Sequence, residues 1–181
     1  WQAGDRFLFS DVFLWEANPN PQELLVATRR PIIAVGLLLV LILYGWARQL
    51  WGRHGALLVL LLAVLDPNLL ANARVVTTDL GLSCFLALAT WRLWRWLVAP
   101  SWLNLLWAGL AAGLAMSAKY TGLLFWPAAL LLMLFYPRQA GQPTRWQRCL
   151  ALLGIGCSAT LVIWAVYRFD FGVMQDGPLP F

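Results

Sequence analysis

The sequence predicts an all-α protein, a multi-pass bundle of about six helices with lipid as its main solvent. Three observations carry this reading. The 181-residue chain is 61% hydrophobic and 12% charged, with mean hydropathy +0.70, more apolar surface than a soluble domain of this length can hide. Its apolar runs are separated by short Arg-bearing loops. Of its 12 Trp residues, several sit at the ends of those runs: Trp46 and Trp51, Trp91 through Trp96, Trp102 and Trp107, and Trp146. That is the aromatic belt of a bilayer interface; Trp stacking on a sugar ring is the rarer alternative for any one of them.

The elements follow in order. Residues 1–30 read as the end of an outer loop, mixing charges with Phe7, Phe9, Phe13 and Trp15; the turn at Asn18-Pro19-Asn20-Pro21 starts a short helix to Arg29. Pro31 opens the first span, to about Leu50, because proline at the first helical position forfeits no bond. About 20 residues at ~1.5 Å each cross the ~30 Å hydrocarbon core. Arg48 and Arg53 mark a tight loop. The next run, Gly55 to Leu65, is short unless Leu69, Leu70 and Ala71 extend it past the Asp66-Pro67 break. Thr78 to about Val98 is the third span, with Thr77 or Thr78 as N-cap and Asp79 in the first turn, where the helix dipole favours an anion. Trp102–Ser117 and Gly122–Tyr136 together exceed one crossing, so a reversal is expected at Ser117–Gly122. Arg148 to Tyr167 is the sixth span, completing a transmembrane region over 31–167, and 168–181 starts another outer segment. Gly109-x-x-x-Gly113 matches small-residue helix packing, a weak signal in an Ala/Gly-rich helix.

Charge and cysteine usage exclude several classes. The net charge of +5 comes from scattered residues, so nucleic acid is not an expected partner. Cys84, Cys149 and Cys157 lie inside apolar runs with no CxxC pattern, and His54 is the lone histidine; no metal or other cofactor is expected. Arg48, Arg53, Arg92, Arg95, Arg138, Arg145 and Arg148 fall on one side, which the positive-inside rule makes cytoplasmic. Arg74, Lys119 and both chain ends fall on the outer side; Arg29 and Arg30 run against the rule. Trp1 is not an initiator Met, and the tail after Asp176 has no closing element. An internal piece of a larger membrane protein is expected.

The hinge from Asp66 to Asp79, between two apolar runs, is the most informative stretch. Ionisable groups at such depth are costly unless used or paired. Arg74, Asp79 and Lys119 share the outer face, where two cations and one anion could hold a phosphate and orient a polar group. The plainer alternative is that Asp79 caps a helix, Arg74 snorkels and Lys119 marks a turn.

Three segments resemble one family in the same order: LLVATRRPIIAVGLLLVLILYGWARQLWGRHGA, LDPNLLANARVVTTDLGLSCFLALATWRLWR and GLAAGLAMSAKYTGLLFWPAALLL. The chain is similar to bacterial polyprenol-phosphate-dependent protein mannosyltransferases, C-type glycosyltransferases related to the lipid A aminoarabinose transferases. The resemblance implies a C-type transmembrane bundle in the bacterial inner membrane with its site on the periplasmic face. It implies transfer of a sugar from a polyprenyl-phosphate donor to a protein, lipid or glycan acceptor. Lys119 and Arg74 would then bind the donor phosphate, and Asp79 would be a supporting acidic residue. The family's principal catalytic acid, followed by a Pro-Pro motif, is not identifiable in residues 1–30, and Asp5, Asp11 and Glu16 do not match it. The matching mechanism is direct displacement at the anomeric carbon: a carboxylate takes the acceptor's proton while fixed cations stabilise the departing phosphate. The competing class is a multi-pass transporter or lipid-handling protein without catalysis, since polar hinges between half-spans also build transport sites.

Overall fold

The computed structural model describes residues 12–16, 18–137 and 141–168. Of the expected outer segments, residues 1–11, 17 and 169–181 lie outside the described residues. Among the described residues every regular element is helical. After a π-helical turn at Val12–Glu16 come α1 (Pro21–Leu65), α2 (Pro67–Arg74), α3 (Thr78–Val98) and α4 (Trp102–Ala118). A 3-10 turn (Tyr120–Leu124), α5 (Phe125–Phe135) and α6 (Arg145–Val166) complete the order.

The break expected at Pro31 does not occur. The helix that begins at Pro21 runs through Pro31. The carbonyl that Pro31 leaves without its helical donor belongs to Ala27, which is exposed and open to other partners. The real interruption is Gly52, with φ 71° and ψ −164°, a region open essentially to glycine alone. There the chain reverses. Leu39, before Gly52, shares one groove with Asp66 and Leu69, after it, and a Cβ on Gly36 would lie 3.5 Å from that of Ala73. α1 is therefore two arms, 21–51 and 53–65. The second arm stops at Leu65, and Leu69–Ala71 do not prolong it. Asp66 instead caps a new helix, its Oδ1 accepting the N–H of Asn68 at 2.8 Å, with Pro67 in the first turn.

α3 lies along the first arm of α1 in the same direction. Leu80 meets Gly36, the Trp91 ring covers Gly45, and Trp91 Nε1 donates to Gln49 Oε1 at 3.1 Å. Leu39, Ile42, Leu80 and Cys84 form the small core between them. α4 returns antiparallel, so that Gly81 faces Ala118. α6 runs parallel to α4 along the Gly109/Gly113 stripe. A Cβ on Gly113 would stand 2.7 Å from Val162 Cβ and 2.8 Å from the Ala159 carbonyl oxygen, and one on Gly109 would collide with Ser158. The small-residue pattern is thus a helix contact, where backbones approach too closely for any side chain. The larger core, including Leu93, Leu97, Ala111, Phe125 and Ile155, fills the space among α3, α4, α5 and α6.

α6 opens with a capping box. Thr144 Oγ1 accepts from the Gln147 N–H, and Gln147 Oε1 accepts from the Thr144 N–H at 2.8 Å. One turn in, Arg148 is only 5% exposed. Its Nη1 donates to the carbonyls of Met133 and Tyr136, the latter at 3.1 Å, satisfying acceptors that the end of α5 leaves free.

Candidate active site

Two turns meet at one end of the bundle. The first is the start of α3. Thr77 occupies the N-cap position but makes no side-chain cap bond; its hydroxyl donates to Asn72 Oδ1 at 3.3 Å. The hydroxyl's bond to α2 replaces the expected cap, and it ties the hinge back onto α2. Asp79 follows in the first turn of α3, where the free N–H groups and the dipole favour its charge.

The second is the reversal after α4, which falls within the expected Ser117–Gly122. Lys119 is extended, with φ −158° and ψ 140°. Its N–H donates to the Ala115 carbonyl at 3.1 Å, and its own carbonyl accepts from Gly122 N–H at 2.9 Å. Gly122 lies so close to α4 that a Cβ there would sit 2.7 Å from the Ala115 carbonyl. The backbone of Lys119 is therefore held on both sides, and the direction of its side chain is set by the fold.

That side chain reaches Asp79. Lys119 Nζ donates to Asp79 Oδ1 at 2.6 Å, an ion pair between residues 40 apart in sequence. The contact follows from the antiparallel packing of α3 and α4, in which Gly81 and Ala118 touch. The side chains are 38% and 52% exposed, so Asp79 is turned to the Lys119 turn and the surface and is not enclosed by the bundle. The hydrogen bond to Asp79, helped by the attraction of its charge, holds the Lys119 ammonium above the usual lysine range. Beside the pair, Asp66, Asn68, Asn72, Asp79 and Ser83 line a groove of about 190 Å³ floored by Leu39 and Leu80.

Arg74 is the last residue of α2, five positions before Asp79. It is exposed and makes no hydrogen bond or ion pair among the described residues.

A family model described as dolichyl-phosphate-mannose-protein mannosyltransferase matches residues 22–164. The chain belongs to this family. The match spans the bundle from the first turn of α1 to the last turn of α6 and includes Arg74, Asp79 and Lys119. Comparison with curated proteins and with solved structures gave no match. Membership makes the chain a glycosyltransferase of the mannosyltransferase type in general terms, and of a membrane-bound family.

Within this mannosyltransferase-family chain, sequence reasoning missed the polar wall of the groove. Asn68, Asn72 and Ser83 lie in the segment that carries the family resemblance, but no role was assigned to them. Their signals were polarity inside an otherwise apolar neighbourhood and, for Asn68, its place in Asp66-Pro67-Asn68. It also read Arg148 as a marker of topology. Its position one turn inside α6, where the helix dipole disfavours a cation, was the sign that it needed partners of its own.

Proposed function

We propose that this chain is part of a multi-pass membrane glycosyltransferase that moves a sugar from a polyprenyl-phosphate donor to an acceptor at the outer face of the membrane. The observation that carries the proposal is the Lys119–Asp79 pair, set at the bundle end beside a polar groove, in a chain whose family acts on dolichyl-phosphate mannose. The membrane reading is supported by α1 and α6, both long and apolar enough to cross a bilayer, and by exposed apolar residues such as Leu37, Leu41, Leu61 and Leu153. α4 and the stretch Tyr120–Phe135 are apolar but shorter.

The pair's exposure matters for the chemistry. An ion pair this exposed is screened by solvent and weak, so a lipid phosphate can displace Asp79 from Lys119 at small cost. Lys119 then neutralises charge that grows on the phosphate as the sugar leaves, an interaction stronger in the transition state than in the ground state. Arg74, unpaired among the described residues, adds a planar donor fork to the same phosphate. Asp79 orients the ammonium until the phosphate arrives and then stays beside it as a supporting charge, while the proton of the acceptor passes to a carboxylate not identified among these residues.

The test is sugar transfer by the intact enzyme from radiolabelled polyprenyl-phosphate sugars. Transfer by wild type, weakened at low donor concentration by Lys119→Ala, supports the reading. A correctly inserted protein that transfers no sugar from any such donor, or whose donor dependence ignores Lys119, overturns it.

A further inference from the structure

Along the α5–α6 face, ending at the side of the bundle opposite the Lys119–Asp79 pair, a different set of residues forms an amphipathic groove. Its apolar part, about 920 Å³, is lined by Trp126, Leu152, Leu153, Gly156, Cys157 and Leu161, among others. It adjoins a second hollow of about 610 Å³ that reaches Tyr136, Pro137, Arg145 and Arg148. The two share Cys149 and Leu152 and so form one track. From Leu161 to Arg145 along α6 the track is ~24 Å long at ~1.5 Å per residue, more than the roughly 15 Å depth of one leaflet's hydrocarbon.

The charged end of this track is unbalanced. Arg148 is buried, with Nε and Nη2 lacking any hydrogen-bond partner among the described residues. The two carbonyls it does reach are neutral dipoles. Arg145, one turn earlier, is exposed at the mouth. The sequence holds no Asp or Glu between Asp79 and Asp170, so neither α5 nor α6 supplies a carboxylate. Asp66 and Asp79 stand at the far end of the bundle, and Glu23 opens the arm of α1 that starts there. A buried cation without a counter-ion is costly.

We infer that the α5–α6 face is a binding site for an anionic phospholipid, with its headgroup phosphate at Arg145 and Arg148 and an acyl chain along the Trp126–Gly156 groove. The two parts select the ligand together. A free anion meets the arginines but leaves the apolar track empty. A zwitterionic lipid fills the track but brings no net charge to the arginines. Basic pockets between membrane helices recognise lipid phosphates in this way. Gly156 keeps the track open beside Trp126: a Cβ there would already lie 3.5 Å from the indole.

Native mass spectrometry of the intact protein, purified in a nonionic detergent and titrated with phosphatidylglycerol or phosphatidylcholine, tests this. The expected result is one saturable phosphatidylglycerol adduct, favoured over phosphatidylcholine by ~10-fold, the effect of a charge-assisted bond. Arg145→Gln, at an exposed position that leaves the α5 cap intact, should lower it several-fold. Gly156→Leu should lower it while keeping both cations. Arg53→Gln, an exposed arginine beside the Gly52 turn, should leave it unchanged. Equal retention of the two lipids, an equal loss in Arg53→Gln and Arg145→Gln, or an adduct indifferent to Gly156→Leu would each overturn the site. So would a wild-type protein that forms no adduct; Cys157 resisting maleimide in lipid-free detergent would then show that protein covers the groove instead.

Discussion

Lys119 shows how a residue can be readable by type and unreadable by contact. A lysine flanked by Ala111–Ala118 and by Gly122–Leu132 would cost ~2.5–3.5 kcal/mol at the centre of a span, so the sequence demanded a turn there, and a turn is present. Its partner was not legible, because 40 residues separate it from Asp79 and only helix packing brings them together. Lys119→Ala is expected to weaken use of the lipid-linked donor by ~10-fold or more, with Lys119→Arg retaining part, since the phosphate loses a charge-assisted hydrogen bond. Donor-concentration kinetics on inserted protein check this. Asp79→Asn should lower turnover while leaving insertion intact; equal turnover would reduce Asp79 to a helix-start charge. The pH dependence has a definite sign. The pair raises the ammonium above the ordinary lysine value of 10.5, so its contribution is full below that value and is lost as pH climbs through the raised one. Alkaline thermal melts of wild type and Lys119→Ala should converge only there.

At the scale of the element, two glycine positions carry separate roles. Gly52 turns α1 back on itself with a backbone that other residues reach at ~1–3 kcal/mol of strain. Gly52→Ala is expected to lower stability by about that amount although its side chain would meet nothing within 4 Å. Gly113 acts through space and not through dihedrals. Gly113→Val should cost ~1–3 kcal/mol by forcing α4 from α6, whereas Gly154→Ala, whose Cβ meets nothing within 4 Å, should be tolerated. Thermal unfolding of the three variants in one detergent separates strain from overpacking. The spacing Gly109-x-x-x-Gly113 was visible in sequence, but which helix it faced was not, because any apolar helix of the chain offers a possible partner.

For the whole molecule, the arrangement of elements predicts where the ends of helices lie. Asp66, Asp79 and Lys119 share one end, and Gly52, Arg95 and Arg145 lie toward the other, given the alternating directions of α1, α3, α4 and α6. Single cysteines introduced at Asn68 and Tyr120 into a cysteine-free protein should react with a membrane-impermeant maleimide from one side, and cysteines at Arg53 and Arg145 from the other. Labelling of Tyr120 and Arg145 positions from the same side would overturn the bundle's membrane orientation. Composition and periodicity alone determined that the chain is helical and greasy, that it bends near Arg48–Arg53, Asp66–Asp79 and Lys119, and that its charges need an account. These properties are local: apolar length, turn chemistry and the cost of a charge are set within a few residues of sequence. The tertiary structure decided what Lys119 pairs with, that Arg148 is a buried cap, and that Pro31 does not break its helix. Those outcomes depend on which helix face meets which. That choice is made by close packing among similar apolar surfaces, for which a single sequence carries no distinguishing mark.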